Sequence, residues 1–352
     1  MTRDELIRLV ADGEPISKTS LTGQPLAGAD LSGGVFEEVD FTGADLRGVR
    51  FRESILLGCR FTRAVLDGSD LSQATLGKCD FRGARARRAR LTAVQVSECD
   101  FAAADFGGAD LTVGAVANSG LERTSFAAAT LVRAAFVSCR TAGIDLRRAD
   151  LEGAAVLEAD LRQARLEEAR LFRTLFNKAQ LSGRSLAGLA FPGCQFADAD
   201  LTGCDLTGCD LTQAGLVSAL LEGARLDRAM LKQAVMTGAR LSGASLRAAD
   251  MTQAILIGAE LTRADISGAR LFEAVATGLR AEGARFASCD LTYADLSHAV
   301  LTGADLSGAT LTRANLHAIQ DENARIPDRR AALPPDPERT RAEGWHARWP
   351  AA

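Results

Sequence analysis

From Leu21 to Leu316 every fifth residue is a large apolar side chain or stands in its place, with no insertion or deletion to break the phase. Of the 60 positions in the series, 50 are Leu or Phe. Val96, Val116, Val156, Met236, Met251 and Ile266 are milder variants, and the lapses are Ala86, Thr141, Ala276 and Ala281. A second register runs two residues before each centre and is Ala at 36 of 58 positions between Ala29 and Ala314. It also holds all eight cysteines, Cys59, Cys79, Cys99, Cys139, Cys194, Cys204, Cys209 and Cys289. Small residue, any residue, large residue is period-two alternation, so both inward positions belong to one short extended segment. The remaining three positions of each pentad are polar, Gly or Ala and turn the corner. Two inward residues in five suit neither a 3.6-residue helix nor a long flat strand, and they require a coil stacked on itself.

Composition agrees with a core made of many small copies. Aromatic residues are only 5% of the chain, with one Tyr and two Trp, too few for a mixed aromatic and aliphatic core. Charged residues at 24% and hydrophobic residues at 47% exclude wholesale disorder. A net charge of −4, from 41 basic and 45 acidic residues, favours neither a basic nucleic-acid binder nor an acidic tail, so direct nucleic-acid binding is not expected. Met1–Val10 lacks the apolar core of a signal peptide, and no stretch approaches a membrane span. The expectation is a cytoplasmic protein without membrane partners and with reduced thiols.

Ala-Asp-Leu-Ser-Gly at 29–33 and 304–308, Ala-Asp-Leu-Arg-Gly at 44–48 and Cys-Asp-Leu-Thr-Gly at 204–208 resemble the pentapeptide-repeat family over about 21–316. The resemblance implies an all-β fold, a right-handed quadrilateral parallel β-helix with four pentads per turn. On that basis about 15 coils at roughly 4.8 Å each form a rod about 72 Å long. The expected organisation is an N-terminal capping helix at 1–18, one continuous repeat rod at 19–316 and a C-terminal tail or cap at 317–352. Arg184, Leu189 and Pro192 break the small-residue register without shifting the phase, so local widening is expected there in place of a linker. Thr2 and Glu5 read as a capping box. Asp336-Pro337-Glu338 reads as a helix start that places Trp345 and Trp349 on one face, either as a plug on the last coil or as a docking segment.

No catalytic constellation, cofactor site, metal site or small-molecule site is read from the chain, and no enzyme activity is expected. Its three histidines are His298, at a corner, and His317 and His346, in the tail. No Cys-x-x-Cys occurs, and cysteines in parallel rows read as core packing. The aspartates that precede the centres face outward from a convex surface with no cleft.

Residues twenty apart share a face if four pentads make a turn. Over twelve coils, 41 of the 72 positions flanking the centres on three faces are charged, and none of the 24 on the fourth is. That fourth face carries Ile55, Leu57, Val137, Leu157, Leu175, Val217, Val235, Ile255, Ile257 and Val275 among Ala, Gly, Thr and other uncharged residues. An uncharged strip with charged corners reads as a surface to be covered by a protein partner or a second copy of the chain. Its area is on the order of 600 Å². The charged faces alternate sign at coil spacing, as in Asp30, Arg50, Asp70, Arg90 and Asp110. The cluster Arg82, Arg85, Arg87, Arg88 and Arg90 reads as a solvated face or, alternatively, as a patch for an acidic partner.

The resemblance implies two functional versions. One is gyrase protection by DNA mimicry, which predicts a continuous acidic stripe that the alternating charges do not supply. The other, favoured here by length, charge balance and tail, is a non-catalytic rigid scaffold or adaptor accessory to a bacterial protein-delivery apparatus of the type VI secretion kind.

Overall fold

The computed structural model describes residues 1–327, 329–334 and 336–343. Its organising rule, within each of two compact units, is parallel pairing of residues twenty apart, Ile16↔Phe36 being the first such pair and Asp305↔Arg325 the last. With a repeat of five, that spacing puts four pentads in each turn. The architecture is a parallel β-solenoid.

Nearly every pentad is closed by one residue in the left-handed region, two after the centre. Gly28 takes it with φ +67, and so do non-glycine residues such as Arg63, at φ +56, and Val113, at φ +51. At most corners a backbone bond closes a β-turn over this residue, as when the Ala29 amide donates to the Leu26 carbonyl at 3.0 Å. Between corners, Leu26 N–H bonds the Asp45 carbonyl at 2.8 Å and Asp45 N–H bonds the Gln24 carbonyl at 3.0 Å. Within each compact unit successive turns are thereby laced together, and the centres and their small partners are almost fully buried.

By density of contacts the chain falls into two compact units, Met1–Leu181 with Cys194–Phe196, and Ser182–Gly193 with Ala197–Ala352. The first begins with helix α1 (Arg3–Ala11), which buries Leu6 and Val10. Its capping box forms: Glu5 N–H donates to Thr2 Oγ1 at 3.3 Å, and Thr2 N–H donates to Glu5 Oε2 at 3.2 Å. Strands β1 (Ile16–Ser17), β2 (Val35–Glu37), β3 (Ile55–Leu57), β4 (Thr75–Gly77), β5 (Gln95–Ser97), β6 (Ala115–Ala117), β7 (Ala135–Val137) and β8 (Ala155–Leu157) make one parallel sheet in sequence order. Regular strands therefore span seven turns, fewer than the fifteen expected, and past Leu157 each pairing is a single-residue bridge. Phe41, Phe61, Phe81 and Phe101 stack with ring centroids 4.9, 4.5 and 4.9 Å apart.

The corners after β4 and β5 are open, and the side chains of Cys99 and Ser119 fill them. The Cys79 amide, which a closed turn would bond to the Leu76 carbonyl, donates instead to Cys99 Sγ at 3.3 Å. Cys99 Sγ also lies 3.6 Å from that carbonyl, so one thiol stands between the two halves of the missing turn bond. Ser119 Oγ accepts the Cys99 amide at 3.1 Å in the same way.

In the second unit the β-turn bond recurs at corner after corner. Ala276 and Ala281, two undersized centres, are matched by Leu279 in the small-residue register, which is fully buried and supplies the volume they lack. A single 3-10 turn (Arg329–Ala331) brings the tail back against the last repeat: Arg313 N–H bonds the Ala331 carbonyl at 2.6 Å, and Leu333 N–H bonds the Ala314 carbonyl at 2.9 Å. Those bonds occupy backbone groups that would otherwise form an open sheet edge. Helix α2 (Pro337–Glu343) follows, with Asp336 Oδ1 accepting the Glu338 and Arg339 amides at 3.0 and 3.1 Å.

Candidate protein-interaction face

The uncharged face is built by the residues on either side of each buried centre. In the first unit, β3 pairs Ile55 with Thr75 and Leu57 with Gly77, and the register runs on to Ala155 and Leu157 of β8. Ile55 and Leu57 are each 41% exposed and Val137 is 37% exposed, while Leu157 and Leu175 are half-buried. A methyl on Gly77 would come within 2.9 Å of Leu57 Cδ2, so the Leu57 side chain lies across the next rung. The face begins where charge ends, because Leu57 pairs with Glu37 of β2.

In the second unit the bridges Gly215↔Val235, Val235↔Ile255 and Ile255↔Val275 stack the same kind of column. Val217, Ile257 and Val275 are exposed, and Val235 and Ile255 are half-buried. The next bridge, Val275↔Asp295, brings in a carboxylate and ends it. Trp345 and Trp349, assigned to the same interaction role by the sequence, lie outside the described residues.

The other faces are charged and internally paired. Arg50 Nη2 meets Asp30 Oδ2 at 2.8 Å one turn away, and Arg85 meets Asp67 at 2.6 Å. Of the arginine cluster, Arg82 reaches Asp80 at 2.6 Å and Arg87 reaches Asp105 at 2.6 Å, so neighbouring carboxylates neutralise much of its charge. The aspartates before the centres have a local task beyond facing outward. Asp40, Asp105 and Asp110 each accept, at 2.9 Å, the backbone N–H two residues ahead, which fixes the start of the corner.

The cysteines are free and buried. Burial pushes the Cys194 and Cys289 thiols up to about 12 and Cys209 up to about 11, which keeps them protonated at neutral pH and poor nucleophiles. They donate to carbonyls, as Cys209 Sγ does to Leu186 and Cys289 Sγ to Ile266, both at 3.0 Å.

One grouping corrects the sequence reading. His298 and His317, taken separately as a corner and a tail residue, converge with Glu343 of α2. His317 Nε2 lies 2.7 Å from Glu343 Oε2, and His298 Nε2 lies 3.4 Å from Oε1. The backbone ladder sets the two histidines on neighbouring turns, the His298 amide bonding the His317 carbonyl, and what carries no sequence signal is the return of the tail that adds Glu343.

Among the described residues no helix is long and apolar enough to cross a membrane. The family model described as Pentapeptide repeats (8 copies) matches residues 26–58, 44–83, 79–112, 129–168, 144–183, 174–213, 214–253, 239–275 and 282–317. No curated protein matches the sequence. Among solved structures, the chain is similar to Rfr23, a pentapeptide repeat protein from the cyanobacterium Cyanothece 51142, at 32% identity and a TM-score of 0.26. That match covers 26% of this chain and 64% of Rfr23. It is similar to HetL, a pentapeptide repeat protein involved in heterocyst differentiation regulation from Nostoc sp. strain PCC 7120, at 25% identity, covering 89% of this chain and 96% of HetL with a TM-score of 0.21. It is also similar to QnrB1, a plasmid-mediated fluoroquinolone resistance protein, at 18% identity, covering 74% of this chain and 90% of QnrB1 with a TM-score of 0.26. With the five-residue core, the twenty-residue pairing and the family's repeat model matched over most of its length, the chain belongs to the pentapeptide-repeat family.

Proposed function

We propose that the chain is a non-catalytic scaffold that binds a protein partner, or a second copy of itself, through its uncharged face. One observation carries the reading: exposed Ile55, Leu57 and Val137 in the first unit, and Val217, Ile257 and Val275 in the second, each occupy a column of their own unit without a charged flank, while the remaining columns are crowded with ion pairs. Apolar side chains kept in water beside a rim of charge lose free energy unless something covers them.

The specific version is an adaptor in a bacterial protein-delivery apparatus of the type VI secretion kind, which rests on family analogy. The competing version, a DNA-like rod that protects gyrase, requires an acidic stripe. Here Arg50, Arg85, Arg87 and Arg140 sit against the carboxylates that would form one.

The test compares wild type with a Leu57→Glu, Ile257→Glu variant by sedimentation velocity and by quantitative affinity capture from native cells. Both side chains are exposed, so the fold tolerates the change. Loss of a self-association step, or of a captured protein, supports the face. A secretion component or a topoisomerase as the lost partner then chooses between the two versions. Identical sedimentation and identical captured proteins reject the face as an interface.

A further inference from the structure

The convergence of two histidines with a glutamate from another element is unlike anything else on the described surface. His298 closes a pentad at φ +60, and His317 sits on the following turn, where its carbonyl accepts the His298 amide at 2.8 Å. The two imidazoles, 5.5 Å apart between centroids and nearly perpendicular, are thus set by backbone bonding. His317 is further fixed by its amide, which donates to Asn315 Oδ1 at 3.1 Å, and Asn315 in turn donates to Asp295 Oδ1 at 3.0 Å. Over this pair α2 delivers Glu343, whose Oε1 also accepts Arg339 Nε at 2.9 Å. One nitrogen of each ring and one carboxylate oxygen all lie within 4.8 Å of one another.

We propose that His298, His317 and Glu343 bind a divalent zinc ion that fastens the C-terminal helix α2 to the last turns of the repeat. Hydrogen bonding alone leaves the triad incomplete: His317 is well placed for Glu343, but His298 Nε2 at 3.4 Å is beyond hydrogen-bond length. A zinc ion that takes the place of the His317–Glu343 hydrogen bond, parting those two atoms by a few tenths of an ångström, uses all three donors at once. Two imidazole nitrogens and one carboxylate oxygen are a zinc donor set, with water completing the tetrahedron, whereas magnesium and calcium call for oxygen alone. The His317 side chain is only 9% exposed and forms the floor, and His298 at 44% leaves an entry path. Arg339 is the neighbour that orients the carboxylate from behind, as partners of metal-bound groups do.

The experiment uses the full chain, stripped with chelator and titrated with zinc chloride alone, with bound metal measured directly and trypsin cleavage at Arg339 and Arg341 followed in parallel. Wild type is expected to bind one equivalent, and cleavage in α2 is expected to slow at least tenfold with zinc and to be unchanged by magnesium. His298→Ala and Glu343→Ala, both at exposed positions, are expected to weaken binding at least tenfold and to remove the protection. A wild type that takes up no zinc, variants that bind and protect as wild type does, or equal protection by magnesium would each overturn the proposal.

Discussion

At the scale of the residue, the decisive position is the corner, where the chain enters the left-handed region in nearly every pentad. Glycine meets that demand without strain, and a side chain with a Cβ gives up roughly 1 kcal/mol or somewhat more. Val113 is the severe case, β-branched, 45% exposed and at φ +51. Val113→Gly should therefore raise stability by about 1 kcal/mol, an effect opposite in sign to the usual loss of a valine. The reverse change at Gly203, with φ +64 and no atom within 4 Å of where a Cβ would stand, should lower stability by about 1 kcal/mol through backbone strain alone. Urea unfolding of the two variants beside wild type measures both, and a destabilised Val113→Gly would contradict the account.

At the scale of the element, the open corners separate what the sequence discloses from what it hides. Cys99 lies between the Cys79 amide and the Leu76 carbonyl, so Cys99→Ala orphans a buried donor and a buried acceptor and should destabilise by about 1–3 kcal/mol. Cys99→Ser keeps a group that can accept and donate, as Ser119 does one rung later, and should stay within about 1 kcal/mol of wild type. Equal losses in the two variants would mean that packing, not the hydrogen bonds, is what the thiol provides. The five-residue phase made the solenoid, the inward registers and the stacked Phe41, Phe61, Phe81 and Phe101 readable, because burial imposes a pattern on the letters themselves. An open corner and a closed one share that pattern, so the cysteine column was legible only as packing. The capping box at Thr2 and the Asp336 helix start were legible because each is a local hydrogen-bond motif. The meeting of His298 and His317 with Glu343 was not, since it depends on the return of α2 to the repeat.

At the scale of the whole molecule, acid is the most direct test of how the charges are used. Arg50, Arg47, Arg82, Arg147 and Arg162 hydrogen-bond Asp30, Asp45, Asp80, Asp145 and Asp160 and hold those carboxyls below the usual range, Asp30 at about 2. A carboxyl whose value is lower folded than unfolded stabilises fully above its unfolded value near 4, and that contribution is lost as pH falls through the folded value. The midpoint of thermal unfolding should accordingly be flat from pH 7 to about 5 and decline from about 4 toward 2. A midpoint that holds steady down to pH 2 would show that these pairs add nothing. Salt should blunt the decline, because most of the arginines are exposed. The twenty-residue pairing has a different kind of consequence, for inheritance. Within one unit the core reads the chain in fives and the surface reads it in twenties. Loss of a single pentad would leave every leucine a leucine in its place, yet advance all that follows by one face and set charged flanks where Val235 and Ile255 now stand in line. Loss of four pentads together would restore both readings. Such a gene can lengthen or shorten by whole turns without disturbing what its surface says, and a shorter slip would preserve the fold while scrambling the message.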